Sequence, residues 1–260
     1  MIFAIFGIYR FIYHFNGSIA IVFLDVGQGD SILIKLPEGK QVLIDGGPDD
    51  SVLTELSLVN PYLLDNIDYV FVTHTDNDHF RGIYEVNRYY TVKNYFINLQ
   101  EDLLSKKWRM VFSKVVSGQK FILDNVEFEV LWPPEDILAE EKTKHNNKSI
   151  VLKISYGNFC AIFSGDIESE VEKVLVEKYK EKLDCDLLKV PHHGSDSSST
   201  EAFIDTVTPK LAVISVGKNN VYNHPSQNVI ERYKSKGVTV WRTDLQSRLM
   251  VKTNGRYMSF

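Results

Sequence analysis

Between Thr73 and Gly82 the chain reads THTDNDHFRG, which places His74, Asp76, Asp78 and His79 within six residues in the order H-x-D-x-D-H. Imidazole nitrogens and carboxylate oxygens are the side-chain donors that divalent cations take. The apolar run IDYVFV before them reads as a buried strand. At an extended strand end residues two apart point the same way, so His74 and Asp76 reach one point in space. Asp78 and His79 follow as the chain turns toward a helix, and they reach a second point nearby. Like charges at this density need a cation to neutralise them.

Three further stretches have the same form. AIFSGD is an apolar strand that delivers Asp166, and LLKVPHHGS is one that delivers His192 and His193. LAVISVG leads into KNNVYNHPS, with Lys218, Asn219, Asn220 and His224. His224 taken alone is as often a loop residue as a site residue. Four strands that all end in metal-type or phosphate-type residues make a constellation, and strand ends above a rigid sheet are where α/β proteins place chemistry.

The elements behind these residues can be read from periodicity. SIAIVFLDVGQGDSILIKL gives two strand-like runs around Gly27-Gln28-Gly29, and QVLIDGG is a short strand ending at Asp45. DHFRGIYEVNRYY has Phe80, Ile83 and Tyr84 at helical spacing. VEFEVLW alternates as a strand, and SIVLKISYGNFCAIFSGD reads as a hairpin turning at Gly157-Asn158. In IESEVEKVLVEKYKEKL a stripe of Val171, Val174, Leu175 and Tyr179 predicts a helix whose Glu and Lys residues form a solvated face. DLLKV, LAVISVG and VTVWRT are strands separated by helical TEAFIDTV and PSQNVIERYKSK, and a hairpin with an Asn254-Gly255 turn closes the chain. The first half is rich in antiparallel strands and the second alternates strand and helix. This predicts two sheets packed face to face with helices outside.

Composition narrows the function. A hydrophobic content of 44% with 12% aromatics supports a packed core, and a net charge of −5 argues against a broad basic face for nucleic acid. It leaves room for a small phosphate site built on metal ions. Cys160 and Cys185 sit in apolar strand-like runs without zinc-ribbon spacing and read as two buried free thiols. Residues 1–17 open with the apolar MIFAIFGIYRFIYHF, broken by Arg10 and His14 and shorter than the roughly 20 residues of a membrane helix. Two readings stand: a docking helix, or the tail of a membrane segment. The expected hydrolase domain is 18–260, in a membrane-associated or cell-surface rather than cytoplasmic setting.

HTDNDH, FSGD and VPHHG, preceded by LIDGG, resemble the metallo-β-lactamase superfamily. FLDVGQGDS, NNKSIVL, LLKVPHHGSDSSS and AVISVGKNNVYNHPS are similar to the C-terminal hydrolase domain of the ComEC-type DNA-uptake family, from about Ile19 to about Asp244. The resemblance implies an αββα sandwich with two divalent metal ions at one edge. It assigns His74 and Asp76 to a first metal site and Asp78 and His79 to a second. Asp166 would bridge the two ions, and His193 would complete the second site, with His192 as the alternative. Asp45 becomes a structural aspartate beneath the metals, and Asp30 of GQGDS lines the site. Two departures stand out. Asp76 replaces the second histidine of the usual H-x-H-x-D-H, a change met among ComEC-like domains. The third histidine of the first site is absent, with HNNKS in its place offering Asn146 or Asn147 and also His145. β-Lactam hydrolysis is therefore not the expected activity.

Two divalent ions roughly 3.5–4 Å apart can share a hydroxide and hold the attacking and leaving oxygens of an in-line displacement at phosphorus. Asp78, Asp166 and His224 are the expected catalytic residues, with His224 protonating a leaving oxygen or orienting a ligand. Asp30, Asn147, His192, Ser195, Lys218, Asn219 and Asn220 are the expected substrate contacts. The hydroxyls and free backbone N–H groups of GSDSSS, before the helix around Thr200, suit a phosphate oxygen, or equally SDSSST is an ordinary helix N-cap. Lys106, Lys107, Trp108 and Arg109 read either as a single-strand groove or as a solvated loop, while Lys142, Lys144 and Lys148 add a positive rim beside the first site. The oxygen-rich donor set favours Mn²⁺, with Zn²⁺ as the alternative. The leading expectation is a DNA phosphodiesterase working with a membrane channel or an attached membrane domain. Hydrolysis of another phosphodiester (phosphocholine or cyclic-nucleotide type) and a non-hydrolytic DNA-guiding module are the alternatives.

Overall fold

Strand-period alternation becomes real faces in the computed structural model, which describes residues 17–60, 66–98, 110–140 and 142–260. The apolar N-terminal stretch up to residue 16 and the Lys106–Arg109 stretch lie outside these residues. Fifteen strands are formed among the described residues. They are β1 (Ile19–Phe23), β2 (Ile32–Lys35), β3 (Gln41–Ile44), β4 (Asn66–Val72), β5 (Thr91–Ile97), β6 (Phe112–Lys114), β7 (Lys120–Leu123) and β8 (Val126–Trp132). There follow β9 (Val151–Tyr156), β10 (Phe159–Phe163), β11 (Leu187–Lys189), β12 (Leu211–Ile214), β13 (Thr239–Arg242), β14 (Leu249–Thr253) and β15 (Met258–Ser259).

One sheet runs β15-β14-β1-β2-β3-β4-β5-β6 and the other β13-β12-β11-β10-β9-β8-β7. Each is mixed. β15 to β3 pair antiparallel and β3 to β6 parallel, while β13 to β10 pair parallel and β10 to β7 antiparallel. Parallel pairing thus begins inside the first half of the chain, earlier than the sequence suggested. The helices Ser51–Val59 and Asn77–Tyr89 supply crossovers that return the chain to the same edge.

Three apolar clusters define the layers. Phe23, Phe71, Phe128 and Phe163 belong to the cluster between the sheets. Val22, Leu43 and Val70 cluster with Val52, Leu56, Ile83 and Val86 of the two crossover helices on one outer face. Ile162, Leu188 and Ala212 cluster with Val171, Leu175, Phe203, Val229 and Tyr233 of three helices on the other. β1 shows why the strands read as nearly continuous apolar runs: Ile19, Ile21 and Phe23 face the other sheet while Val22 faces helices. The expected αββα sandwich is the observed one.

Three local expectations need correction. Cys160 and Cys185 form a disulfide instead of two free thiols, because β10 and the residues leading into β11 lie side by side. Val174 is 39% exposed, so the buried stripe of the Ser169–Tyr179 helix is Val171 and Leu175 with Tyr179 at its margin. The closing turn spans four residues, since Thr253 pairs with Met258, and the Asn254 side chain accepts the N–H groups of Arg256 and Tyr257 inside it. No helix among the described residues is long and apolar enough to cross a membrane.

Candidate metal centre

The ends of β3, β4, β10, β11 and β12 converge with the turn after β1, and the ligand-type residues meet there. Asp78 and His79 lie in the first turn of the Asn77–Tyr89 helix. Two glycine contacts set that helix close to the sheet. A Cβ on Gly82 would strike the carbonyl oxygen of Gly46, and a Cβ on Gly29 would strike that of Asp78. The Asp30 N–H also donates to the Asp78 carbonyl at 3.1 Å. The turn Pro191–Gly194 has His192 and His193 in consecutive left-handed conformations (φ 49° and 52°), a costly geometry for non-glycine residues. It buries His193 in the centre and leaves His192 toward the rim.

Each buried imidazole is oriented through Nδ1. His79 Nδ1 is 2.8 Å from Asp45 Oδ2, and His193 Nδ1 donates to the Ser215 carbonyl at 2.8 Å. His74 Nδ1 lies 3.0 Å from the Thr73 hydroxyl, which itself donates to Asp45 Oδ2 at 2.7 Å. All three Nε2 atoms are thereby directed toward the cluster. His79 Nε2 and His193 Nε2 are 3.3 Å apart and each is 3.2 Å from Asp166 Oδ2, while Asp78 Oδ2 is 3.3 Å from His193 Nε2. Donors about 2.0–2.1 Å from a tetrahedral ion sit about 3.3 Å from one another. Three donors are therefore already spaced around one cation-sized point, with Asp78 Oδ2 within 4.8 Å of the two imidazole nitrogens.

Beside it, His74 Nε2 is buried without a hydrogen-bond partner among the described residues, an orphaned donor position that a cation would satisfy. Asp76 Oδ2 lies 3.5 Å from it. His145 comes from the Asn146–Lys148 approach with Nδ1 2.9 Å from Asp76 Oδ1, so His74, Asp76 and His145 form a second donor group. Of the three residues that the sequence offered from HNNKS, His145 reaches the group. Asn146 donates toward His192 at 3.3 Å, and Asn147 accepts the Glu168 N–H at 2.8 Å.

Lys189 is the residue that sequence reasoning passed over. It is 1% exposed, and its ammonium binds Asp30, the Gly165 carbonyl at 2.9 Å and Asp166 Oδ1 at 3.3 Å. A lysine inside the otherwise apolar LLKV was the available signal. Burial alone would neutralise Asp166, but His193, His79 and Lys189 together hold its carboxyl well below the usual range. Reciprocally, burial would lower His193, yet Asp166, Asp78 and Asp30 raise it to about 9, and Asp166 and Asp45 raise His79 in the same way. The imidazoles of His145 and His74 hold Asp76 far below the carboxylate range.

Around this centre the expected substrate residues take different places. Asp30 is buried against Lys189. The hydroxyl of Ser195 is 3.0 Å from that of Ser197, which is 3.3 Å from His192 Nδ1. The N–H groups of Ser199 and Thr200, offered to a phosphate by the sequence, are taken by the buried Glu172 carboxylate, and Thr200 caps the Glu201–Val207 helix. Lys144 is paired with Glu168 and Glu170, which reduces the expected positive rim. Lys218 and Asn219 are exposed. Lys218 and Asn220 border a cleft of about 500 Å³ with Asp25, Gln28 and Asp244. Burial and the neighbouring His192 and His193 push His224 down to about 4, so it is a neutral ring at neutral pH.

A family model described as the metallo-beta-lactamase superfamily matches residues 24–218. The chain is 29% identical to ComE operon protein 3 of Bacillus subtilis (strain 168), over 91% of this chain and 33% of the relative. It is also 29% identical to competence protein ComA of Neisseria gonorrhoeae, over 88% of this chain and 32% of the relative. It thus spans about a third of the length of these relatives. Among solved structures, the metallo-beta-lactamase fold protein YhfI from Bacillus subtilis superposes with a TM-score of 0.62 at 12% identity, over 91% of this chain and 99% of that one. At that identity the likeness concerns the fold.

Proposed function

Because this chain belongs to the metallo-beta-lactamase superfamily, we propose that it is a metal-dependent phosphodiesterase whose substrate is DNA. The observation that carries the proposal is the set of imidazole Nε2 and carboxylate oxygens spaced 3.2–3.3 Å apart around one point, with the orphaned His74 Nε2 beside it. Asp78, His79, Asp166 and His193 would hold one divalent ion. His74, Asp76 and His145 would hold a second, with Asp166 shared. Such ions supply Lewis acidity: they lower the pKa of water toward neutrality and offset charge on a phosphoryl group.

The chain's own residues do the rest. Lys189 grips Asp166 Oδ1 and leaves Oδ2 for the centre. His224, neutral at working pH, is better suited to donate an N–H hydrogen bond to a leaving oxygen than to deliver a full proton. Lys218 stands at the rim to hold a neighbouring phosphate. DNA is favoured among phosphodiesters by the ComEC-like motifs and by relatives named for competence. The setting we favour is the cell surface, beside a membrane channel or domain, since disulfides such as Cys160–Cys185 persist in oxidising compartments.

Three carboxylates, those of Asp78, Asp166 and the half-exposed Asp76, favour Mn²⁺, while His145 adds a nitrogen that favours Zn²⁺. Mn²⁺ is the proposed catalytic ion. The test is turnover of metal-stripped protein, titrated with each ion, on single- and double-stranded DNA and on a small chromogenic phosphodiester. Turnover of the small substrate alone would move the assignment to a small phosphodiester. Activity restored by stoichiometric Zn²⁺ and not by excess Mn²⁺ would reverse the metal assignment.

A further inference from the structure

The loop from Gly217 to Pro225 is tightly braced, yet it displays apolar side chains to solvent. The Asn220 amide donates to the carbonyls of Gly217 (3.0 Å) and His224 (2.6 Å), and its oxygen accepts the N–H groups of Tyr222 (3.2 Å) and His224 (3.0 Å). The Gly217 N–H is tied in turn to Gln28. On this scaffold Val221 is 85% and Tyr222 62% exposed. The Tyr222 ring stacks on His224 with centroids 5.9 Å apart at 20°. His224 meets His192 edge-on at 5.6 Å, and His192 meets His193 at 6.3 Å. Three ring-to-ring steps therefore join a buried member of the candidate metal centre to an aromatic face in solvent.

From this geometry we propose that Tyr222 is a stacking platform for a nucleobase, so that the substrate class is single-stranded nucleic acid. The inference rests on the phosphodiesterase reading above and specifies which strand it accepts. A rigid backbone that holds an aromatic face toward water beside a reactive centre is what base stacking requires, because every base has a π-face and duplex DNA conceals it. Charge points the same way. A net charge of −5 argues against a broad basic face for the phosphate backbone, which favours stacking, with local help from Lys218, as the source of strand affinity. Asn220 becomes a positioning residue that fixes Tyr222 and His224 on one loop.

The test compares the wild-type chain with Tyr222→Ala and Tyr222→Trp. Affinity is read by fluorescence anisotropy on a phosphorothioate oligo-deoxythymidylate, on an abasic strand of equal length and on a duplex. Base–aromatic stacking is worth about 1–3 kcal/mol per base, which corresponds to about 5- to 150-fold in affinity. Tyr222→Ala should lose that factor on the base-bearing strand, Tyr222→Trp should recover it, and the abasic strand and the duplex should bind both proteins alike. On cleavable single strands the loss should fall on KM rather than kcat. Equal affinity of wild type and Tyr222→Ala for the base-bearing strand overturns the platform, as does an equal loss on the abasic strand. If the platform effect is present but no metal-loaded protein cleaves any strand, it is the phosphodiesterase reading that fails.

Discussion

His79 shows how much of a candidate metal ligand is decided by the atom that faces away from the proposed ion. Its Nδ1 is held by Asp45, which also takes the Thr73 N–H and hydroxyl, so one buried carboxylate orients His79 directly and His74 through Thr73. Asp45→Asn keeps the shape and removes the charge. Loss of such a partner typically costs 10–100-fold in metal affinity, and a chelator-competition titration should read a loss of that order with the circular dichroism unchanged. His193 gives a pH prediction. Its pKa is raised to about 9 chiefly by Asp166 acting against burial, compared with about 6.5 for an unfolded histidine. The folded state therefore binds that proton more tightly. The associated stability is fully present below about pH 6.5 and is lost as pH rises through about 9. Melting of the metal-stripped protein should shift down by several degrees across that window. Metal binding must expel the same proton, so affinity should rise with pH, and a metal-loaded protein should not show the fall. A flat melting profile of the stripped protein between those pH values would contradict the assignment.

At the scale of elements, the contact between the Asn77–Tyr89 helix and the loop after β3 decides where Asp78 and His79 point. Gly82→Ala tests it cleanly, because intrinsic propensity and packing act in opposite directions. Alanine in a helix interior is favoured over glycine by about 1 kcal/mol, but here its Cβ would strike the Gly46 carbonyl. The expected result is a destabilised protein with weakened metal binding, read by thermal melts and metal content; a stabilised variant with full metal content would show that the approach can relax. The legibility of the sequence divides along the same line. Strand ends carrying ligand-type residues were readable because alternation and residue spacing are local, and the structure brings His74, Asp78, His79, Asp166 and His193 into overlapping donor groups. What was not readable depends on neighbours distant in sequence. Lys189 gains its partner Asp30 only from the turn after β1. The serine-rich N–H groups looked available until Glu172 was seen to occupy them. The change to parallel pairing after β3 is set by the crossover helices, which strand alternation does not encode.

On the scale of the whole molecule, the centre lies where two sheets meet, so it depends on adjacent strands of the second sheet staying in register. β10 delivers Asp166 and β11 delivers His193, and the Cys160–Cys185 disulfide sits at the opposite end of that pair. Backbone bonds already hold the same place: the Asp186 N–H donates to the Cys160 carbonyl at 3.1 Å, and the Cys160 N–H to the Asp186 carboxylate at 3.2 Å. The bond should therefore act mainly on the unfolded chain, in which it closes a loop of 25 residues. The chain-entropy relation gives about 3.5 kcal/mol for a loop of that size. A Cys160→Ala/Cys185→Ala double variant should lose stability of that order in denaturant titrations, while metal stoichiometry and strand cleavage stay near those of the parent. Thiol titration of the unfolded, unreduced parent should find no free thiol. Two reactive thiols would mean that the pair does not close in the protein as made. A double variant that kept its stability but lost its metal would mean that the disulfide positions the ligands of β10 and β11 rather than restraining the unfolded chain.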